Sequence, residues 1–103
     1  MDIINENIGK LVDLCKTHKV RELYVFGSVL TSGFDKESDI DFLVQFDYID
    51  ILEYADNYFS FKESLANLMG REIDLIENQA VRNPIFRKIL DREKKLVYDR
   101  KTA

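Results

Sequence analysis

Leu23-Tyr24-Val25-Phe26-Gly27-Ser28 is followed, after ten residues, by Asp39-Ile40-Asp41-Phe42-Leu43-Val44. Leu23 to Phe26, stopped by Gly27, reads as a short buried strand. Ser28 to Ser38 is turn-rich, with Thr31, Ser32, Gly33 and Asp35. A second strand runs from Asp39 to Phe46. On the N-terminal side, Ile4, Ile8, Leu11, Val12 and Cys15 recur at helical spacing and predict an amphipathic helix over 3–17. Gly9 costs that helix about 1 kcal/mol relative to Ala. On the C-terminal side, Asp50 and Glu53 resemble a capping box, with Asp in the place of Ser or Thr. It opens a long helix carrying Tyr54, Tyr58, Phe61, Leu65 and Leu68, with Gly70 as its C-cap. Glu72 to Ile76 is a third strand. Asn83 and Pro84 start a last helix with Phe86, Ile89 and Leu90 on one face. Leu96-Val97-Tyr98 adds a closing strand or trails as a tail. The order α-β-turn-β-α-β-α predicts an α/β (α+β) fold, a small mixed β-sheet flanked by helices.

The 103 residues make one domain, 1–103, with no linker, repeat or low-complexity tract. With 46% hydrophobic and 33% charged residues, the chain is neither disordered nor collagenous. The longest apolar run, Leu23 to Phe26, is far short of the roughly 20 residues that span a bilayer. No secretory leader is visible, and the single Cys15 leaves no internal disulfide or cysteine-based zinc framework. The expectation is a reduced, soluble, cytoplasmic protein. A net charge of −4 argues against direct nucleic-acid binding by the domain as a whole. The charge is segregated. Residues 1–81 hold 16 acids against 7 Lys and Arg, and residues 82–103 hold 3 against 8. The basic tail is a solvated helix face or a patch for an acidic partner or a nucleotide's phosphates.

Asp39 and Asp41 are two apart, so in a strand they point to one face. Asp is depleted in strands, and neighbouring like charges repel. Such a pair invites a divalent cation, and Mg²⁺ takes carboxylates together with substrate phosphates. Asp74, in Glu72-Ile73-Asp74-Leu75-Ile76, would add a third carboxylate and complete a two-metal site for attack at phosphorus. Gly27 lets a phosphate approach the backbone, and Ser28 opens a turn whose free N–H groups favour anions. Neither a P-loop nor a dinucleotide-binding Gly-x-Gly-x-x-Gly occurs. Gly-Ser alone and Asp-x-Asp alone are weak signals. Their spaced combination is specific.

That combination resembles the signature of the polymerase-β-type nucleotidyltransferases, and the chain's size is similar to that of the minimal nucleotidyltransferases, MNT. The resemblance covers about residues 20–78 by motif. It implies a polymerase-β-like nucleotidyltransferase fold. It also implies that Gly27 and Ser28 hold the triphosphate of ATP and that Asp39, Asp41 and Asp74 bind two Mg²⁺ ions. Many minimal members are antitoxins of HEPN ribonuclease toxins. The resemblance therefore implies transfer of AMP from ATP to a tyrosine of a HEPN-domain partner. Relatives often carry an Arg in the turn after Gly-Ser, and Val29 to Gly33 contains none. Charge neutralisation would then fall to the metals and to a residue such as Lys36.

Other features carry plainer expectations. His18 caps the first helix or lies on the surface, and Cys15 packs in the core. Tyr54, Tyr58 and Phe61 form a core stripe, whereas Tyr48 and Phe59 lie off it and would suit a protein partner if exposed. Arg71 and Arg82 flank the third strand and read as surface ion-pair residues within reach of a phosphate. Two other functions stay open: a toxin-binding antitoxin without turnover, and a nucleotidyltransferase for a small molecule or an RNA end. The three carboxylates speak against the first, and the lack of a second domain to hold the acceptor speaks against the other.

Overall fold

The computed structural model describes residues 2–102. The chain forms α1 (Asp2–Glu6), α2 (Ile8–Thr17), β1 (Val20–Phe26), β2 (Ile40–Phe46), α3 (Ile51–Met69), β3 (Ile73–Glu77), α4 (Pro84–Glu93) and β4 (Lys95–Asp99). Short 3₁₀ turns occupy Gly27–Leu30, Asn78–Ala80 and Arg100–Thr102. The strands make one mixed sheet in the order β3-β2-β1-β4. β1 is antiparallel to both β2 and β4, and β2 is parallel to β3. Leu96-Val97-Tyr98 is therefore a strand and not a tail. It covers the outer edge of β1 and seats Tyr98 in the core.

Alternation along the strands decides which side chains meet. Leu23 and Val25 of β1, Ile40, Phe42 and Val44 of β2, and Ile73 and Leu75 of β3 enter one core cluster. Leu11 and Cys15 from α2, and Phe61, Leu65 and Met69 from α3, close it. Each of the larger side chains contributes about 1.5–3 kcal/mol by leaving water. The intervening residues, Tyr24, Phe26, Asp41, Leu43 and Asp74, face the other side. There α4 lies, with Leu43 and Leu90 buried outside the main cluster. The Phe86 ring meets Phe26 edge-on at 6.3 Å, and the Lys94 ammonium stands 4.4 Å over the Tyr24 ring. No described helix is long and apolar enough to cross a membrane.

Three sequence expectations need correction. The helix predicted over 3–17 is broken at Asn7. The Asn7 amide donates to the Ile3 carbonyl at 2.8 Å, the acceptor its own backbone N–H would use in a continuous helix. That N–H turns instead to the Ile4 carbonyl at 3.1 Å, and Ile8 emerges exposed at the start of α2. The strand bounds also shift: β1 begins at Val20, three residues early, and Asp39 lies just outside β2. Finally, of the face predicted for α4 only Leu90 is buried; Phe86 and Ile89 are partly exposed, and Ile85 is 72% exposed. The caps stand where expected, although among the described residues Glu53 makes no side-chain bond back to Asp50, so only the Asp50 half of the capping box forms. Asp50 accepts the Leu52 N–H at 2.9 Å, Asn83 accepts those of Ile85 and Phe86, and Gly70 is left-handed at φ 67°.

Candidate active site

Strand polarity brings four loop ends together. Because β1 is antiparallel to its neighbours on both sides, its end is level with the starts of β2, β3 and β4. The register sets Phe26 opposite Asp41 and Asp41 opposite Asp74. Asp41 and Asp74 therefore stand side by side on the same face, close enough to share a hydrogen bond when one is protonated. Burial pushes the Asp41 carboxyl above the usual carboxylate range, and the charges of Asp74 and then Asp39 push it further. Asp39 is exposed at the rim, just before β2.

Gly27 abuts this pair. It holds φ +77°, and a Cβ built there would strike the Asp41 carboxylate. Only glycine satisfies both the left-handed backbone and the close approach. Ser28 follows in the 3₁₀ turn, with its Oγ 3.5 Å from the Asp39 carbonyl. The Thr31 N–H and hydroxyl both donate to the Ser28 carbonyl at 2.9 Å, and buried Val29 anchors the turn in the core. Gly27, Ser28, Asp39, Asp41 and Asp74 thus lie together at one end of the sheet. Among the described residues, no three His, Cys, Asp or Glu side chains close into a ligand cluster; the assembled unit is the Asp41–Asp74 pair. Two carboxylates with substrate phosphates are the usual protein share of a Mg²⁺ site, and two mutually repelling carboxylates suit a hard cation.

The connection from β1 to β2 is tied down by Arg71, between α3 and β3. Its Nη1 donates to the carbonyls of Asp35 at 2.9 Å and Ser38 at 3.0 Å, and its guanidinium lies 4.5 Å over the Phe34 ring. Among the described residues Arg71 makes no ion pair; it binds backbone carbonyls because the turn delivers two of them to one guanidinium nitrogen. Asp35 adds a knot of its own, accepting the Glu37 N–H and the Ser38 hydroxyl. Arg82 is exposed and forms no ion pair among the described residues, and Lys36 is exposed within the turn.

Cys15 is fully buried, and burial pushes its thiol up to about 12, so it is no nucleophile. His18 is buried at the end of α2. Its Nδ1 meets the Leu14 carbonyl at 2.8 Å, and its Nε2 meets Ser60 Oγ at 3.1 Å. Phe61 is buried as expected, and Tyr54 and Tyr58 are half-buried with hydroxyls bonded to Glu77 and to the Leu75 carbonyl. Tyr48 and Phe59 are exposed, at 82% and 63%. Sequence reading missed a cleft of about 370 Å³ lined by Gly27, Leu30, Thr31, Arg92, Glu93 and Lys95. The available signal was the basic tail, whose location became legible only once β4 was paired with β1.

A glycine turn against paired strand-end carboxylates, on a mixed sheet with helices over both faces, defines an enzyme of nucleotidyl transfer. The chain belongs to the polymerase β nucleotidyltransferase family, whose pattern matches residues 9–103. It is 29% identical over 105 residues to a candidate protein adenylyltransferase of Methanocaldococcus jannaschii, spanning 90% of this chain and 98% of that one. It is 32% identical over 71 residues to the protein adenylyltransferase MntA of Thermococcus cleftensis, 69% of each chain. In three dimensions it is similar to a chain in the structure of the tri-AMPylated Shewanella oneidensis HEPN toxin in complex with MNT antitoxin. The TM-score is 0.65 at 20% identity, covering 96% of this chain and 75% of that one.

Proposed function

We propose that this protein transfers AMP from ATP to a protein hydroxyl, a tyrosine of a cognate HEPN-domain toxin, and so acts as the antitoxin of a pair. The carrying observation is that the space a Gly27 side chain would take is held by the Asp41 carboxylate, so a phosphate cradle and a carboxylate pair adjoin. The protein adenylyltransferase relatives and the AMP-bearing toxin of the structural neighbour support the reaction class and the partner. Gly27 and Ser28 hold the triphosphate at the glycine turn, where no Cβ bars its approach to the backbone. Asp39, Asp41 and Asp74 would hold Mg²⁺, two ions in this reading, which supplies Lewis acidity at the α-phosphoryl oxygens. Asp74 would either help hold the metal that lowers the pKa of the incoming hydroxyl or accept its proton directly. The hydroxyl oxygen bonds to the α-phosphorus, the bond to the bridging oxygen of the β-phosphate breaks, and pyrophosphate leaves. Most of the acceleration comes from positioning and fixed charge. One domain, residues 1–103, carries this activity in the cytoplasm, where ATP is at hand; the acceptor comes from the partner.

The test incubates the purified protein with α-labelled ATP, Mg²⁺ and the product of the neighbouring gene, and reads intact mass. Addition of AMP to that partner, lost in Asp39→Asn, is the expected result. A tight complex with no mass change would replace the enzyme by a binding antitoxin. ATP consumption without a modified protein would move the acceptor to a small molecule or an RNA end.

A further inference from the structure

Position by position, the turn after Gly27-Ser28 offers a triphosphate little positive charge. Val29, Leu30, Thr31, Ser32 and Gly33 are uncharged, Lys36 lies further along the connection, and Arg71 is spent on the carbonyls of Asp35 and Ser38. Three to four negative charges set on Gly27 beside three aspartates need cations from elsewhere. The chain supplies them from its other end. β4 pairs with β1 so that Lys95 is opposite Val25, two residues before Gly27. The end of α4 and the start of β4 therefore stand over the same turn, and Arg92 and Lys95 line one cleft with Gly27, Leu30 and Thr31. Its volume, about 370 Å³, is at the small end of ligand pockets and suits a phosphate chain.

The neighbouring cations are not equivalent. Lys94 is engaged, its ammonium 3.0 Å from Asp91 and over the Tyr24 ring. Among the described residues the one ion pair of Arg92 is with Glu93, at 3.4 Å and in solvent, a contact of little strength. Lys95 is exposed and enters no ion pair among the described residues. Glu93 also lines the cleft, so two cations face one carboxylate there.

We infer that Arg92 and Lys95 bind the β- and γ-phosphates of the nucleotide and replace, from the α4–β4 junction, the cation missing from the Gly-Ser turn. This rests on the nucleotidyl-transfer reading and adds to it the residues that select a triphosphate over a monophosphate. Arg forks onto two phosphate oxygens, whereas Lys serves as a point charge. Before a nucleotide arrives, Arg92 is held loosely by Glu93, so exchange to a phosphate costs one weak surface contact.

The test is calorimetric titration of wild type, Lys95→Ala and the Arg92→Ala/Lys95→Ala double variant with ATP, inorganic tripolyphosphate and AMP, each with Mg²⁺. Lys88→Ala, at an exposed position of α4, is the control for net charge. The expected result is a loss of about tenfold or more in affinity for ATP and tripolyphosphate in the double variant, with AMP affinity unchanged. In turnover the KM for ATP rises more than kcat falls, and Lys95→Arg restores most of it. Equal affinity of the double variant and wild type for ATP would overturn the inference and leave the proposed reaction standing. An equal loss for ATP and AMP would also overturn it, by showing a structural effect. A wild-type protein that binds neither ATP nor tripolyphosphate would overturn both this inference and the reaction proposed above.

Discussion

Gly27 and Asp41 are sterically coupled, because the space of one residue's missing side chain is the other's seat. Gly27→Ala brings a left-handed φ of +77° and a collision with the Asp41 carboxylate. Gly70→Ala brings the left-handed strain alone, at φ +67° with open space around it. The expected costs are about 2–3 kcal/mol for the first and about 1 kcal/mol for the second, read by chemical denaturation. Only Gly27→Ala is expected to lose AMP transfer. Asp41 carries a prediction with a sign. Its carboxyl is held above the usual range, so the folded chain keeps that proton at pH values where the unfolded chain has lost it. Stability from this group is present at acid pH and falls as pH rises through the folded pKa. Asp41→Asn should therefore raise Tm at pH 7 and match wild type more closely as pH falls toward 4. Transfer should drop by a hundredfold or more, on the order of losing a fixed electrostatic contact to the transition state. A falling Tm at neutral pH would make Asp41 a structural carboxylate instead.

At the scale of elements, the connection between β1 and β2 owes its shape to a residue far along the chain. Arg71 closes it with two carbonyl bonds and a ring contact, and so fixes where Asp39 leaves the turn. Arg71→Ala is expected to cost about 1–3 kcal/mol and to lower amide protection across residues 31–38 in hydrogen exchange. Arg71→Lys should restore it only in part, since an ammonium can donate to both carbonyls as Nη1 does but cannot also lay a planar guanidinium on the Phe34 ring. Unchanged protection in Arg71→Ala would show that the turn is held by the Asp35 knot alone. The sequence marked Arg71 as a surface ion-pair residue because its partners are backbone atoms, which no side-chain pattern announces. Likewise the break at Asn7 comes from one amide competing with the backbone, inside a stripe whose periodicity is sound on both sides.

At the scale of the whole molecule, β4 closes the edge of β1, supplies Tyr98 to the core and carries the basic end of the chain to the Gly27 turn. Tyr98→Ala is expected to cost about 3–5 kcal/mol, a large share of the 5–15 kcal/mol typical of such a fold. Because the loss would also loosen β4, a lower affinity for ATP should accompany it in a titration at a temperature where the variant is folded. A variant as stable as wild type would mean that the β4 edge is dispensable. The basic tail, weighed in the sequence between a solvated face and a phosphate patch, is divided by the structure. Lys94 and Arg87 are tied to Asp91, whereas Arg92 and Lys95 face the cleft.

The sequence by itself determined the element types and the chemistry they carry. Alternating apolar residues, glycine stops and the caps at Asp50, Gly70 and Asn83 act over a few residues, and a local signal is legible wherever its physics is local. The same holds for Gly27-Ser28, Asp39-x-Asp41 and Asp74, a glycine turn and carboxylates in or beside apolar strand segments, visible without a fold. Only the tertiary structure decided which of these meet. Parallel pairing of β2 with β3 set Asp41 beside Asp74, and antiparallel pairing of β4 with β1 brought Lys95 to Gly27. Strand order and register are fixed by burying one face of four strands against α2 and α3 at once, a requirement of the whole core that no single segment expresses.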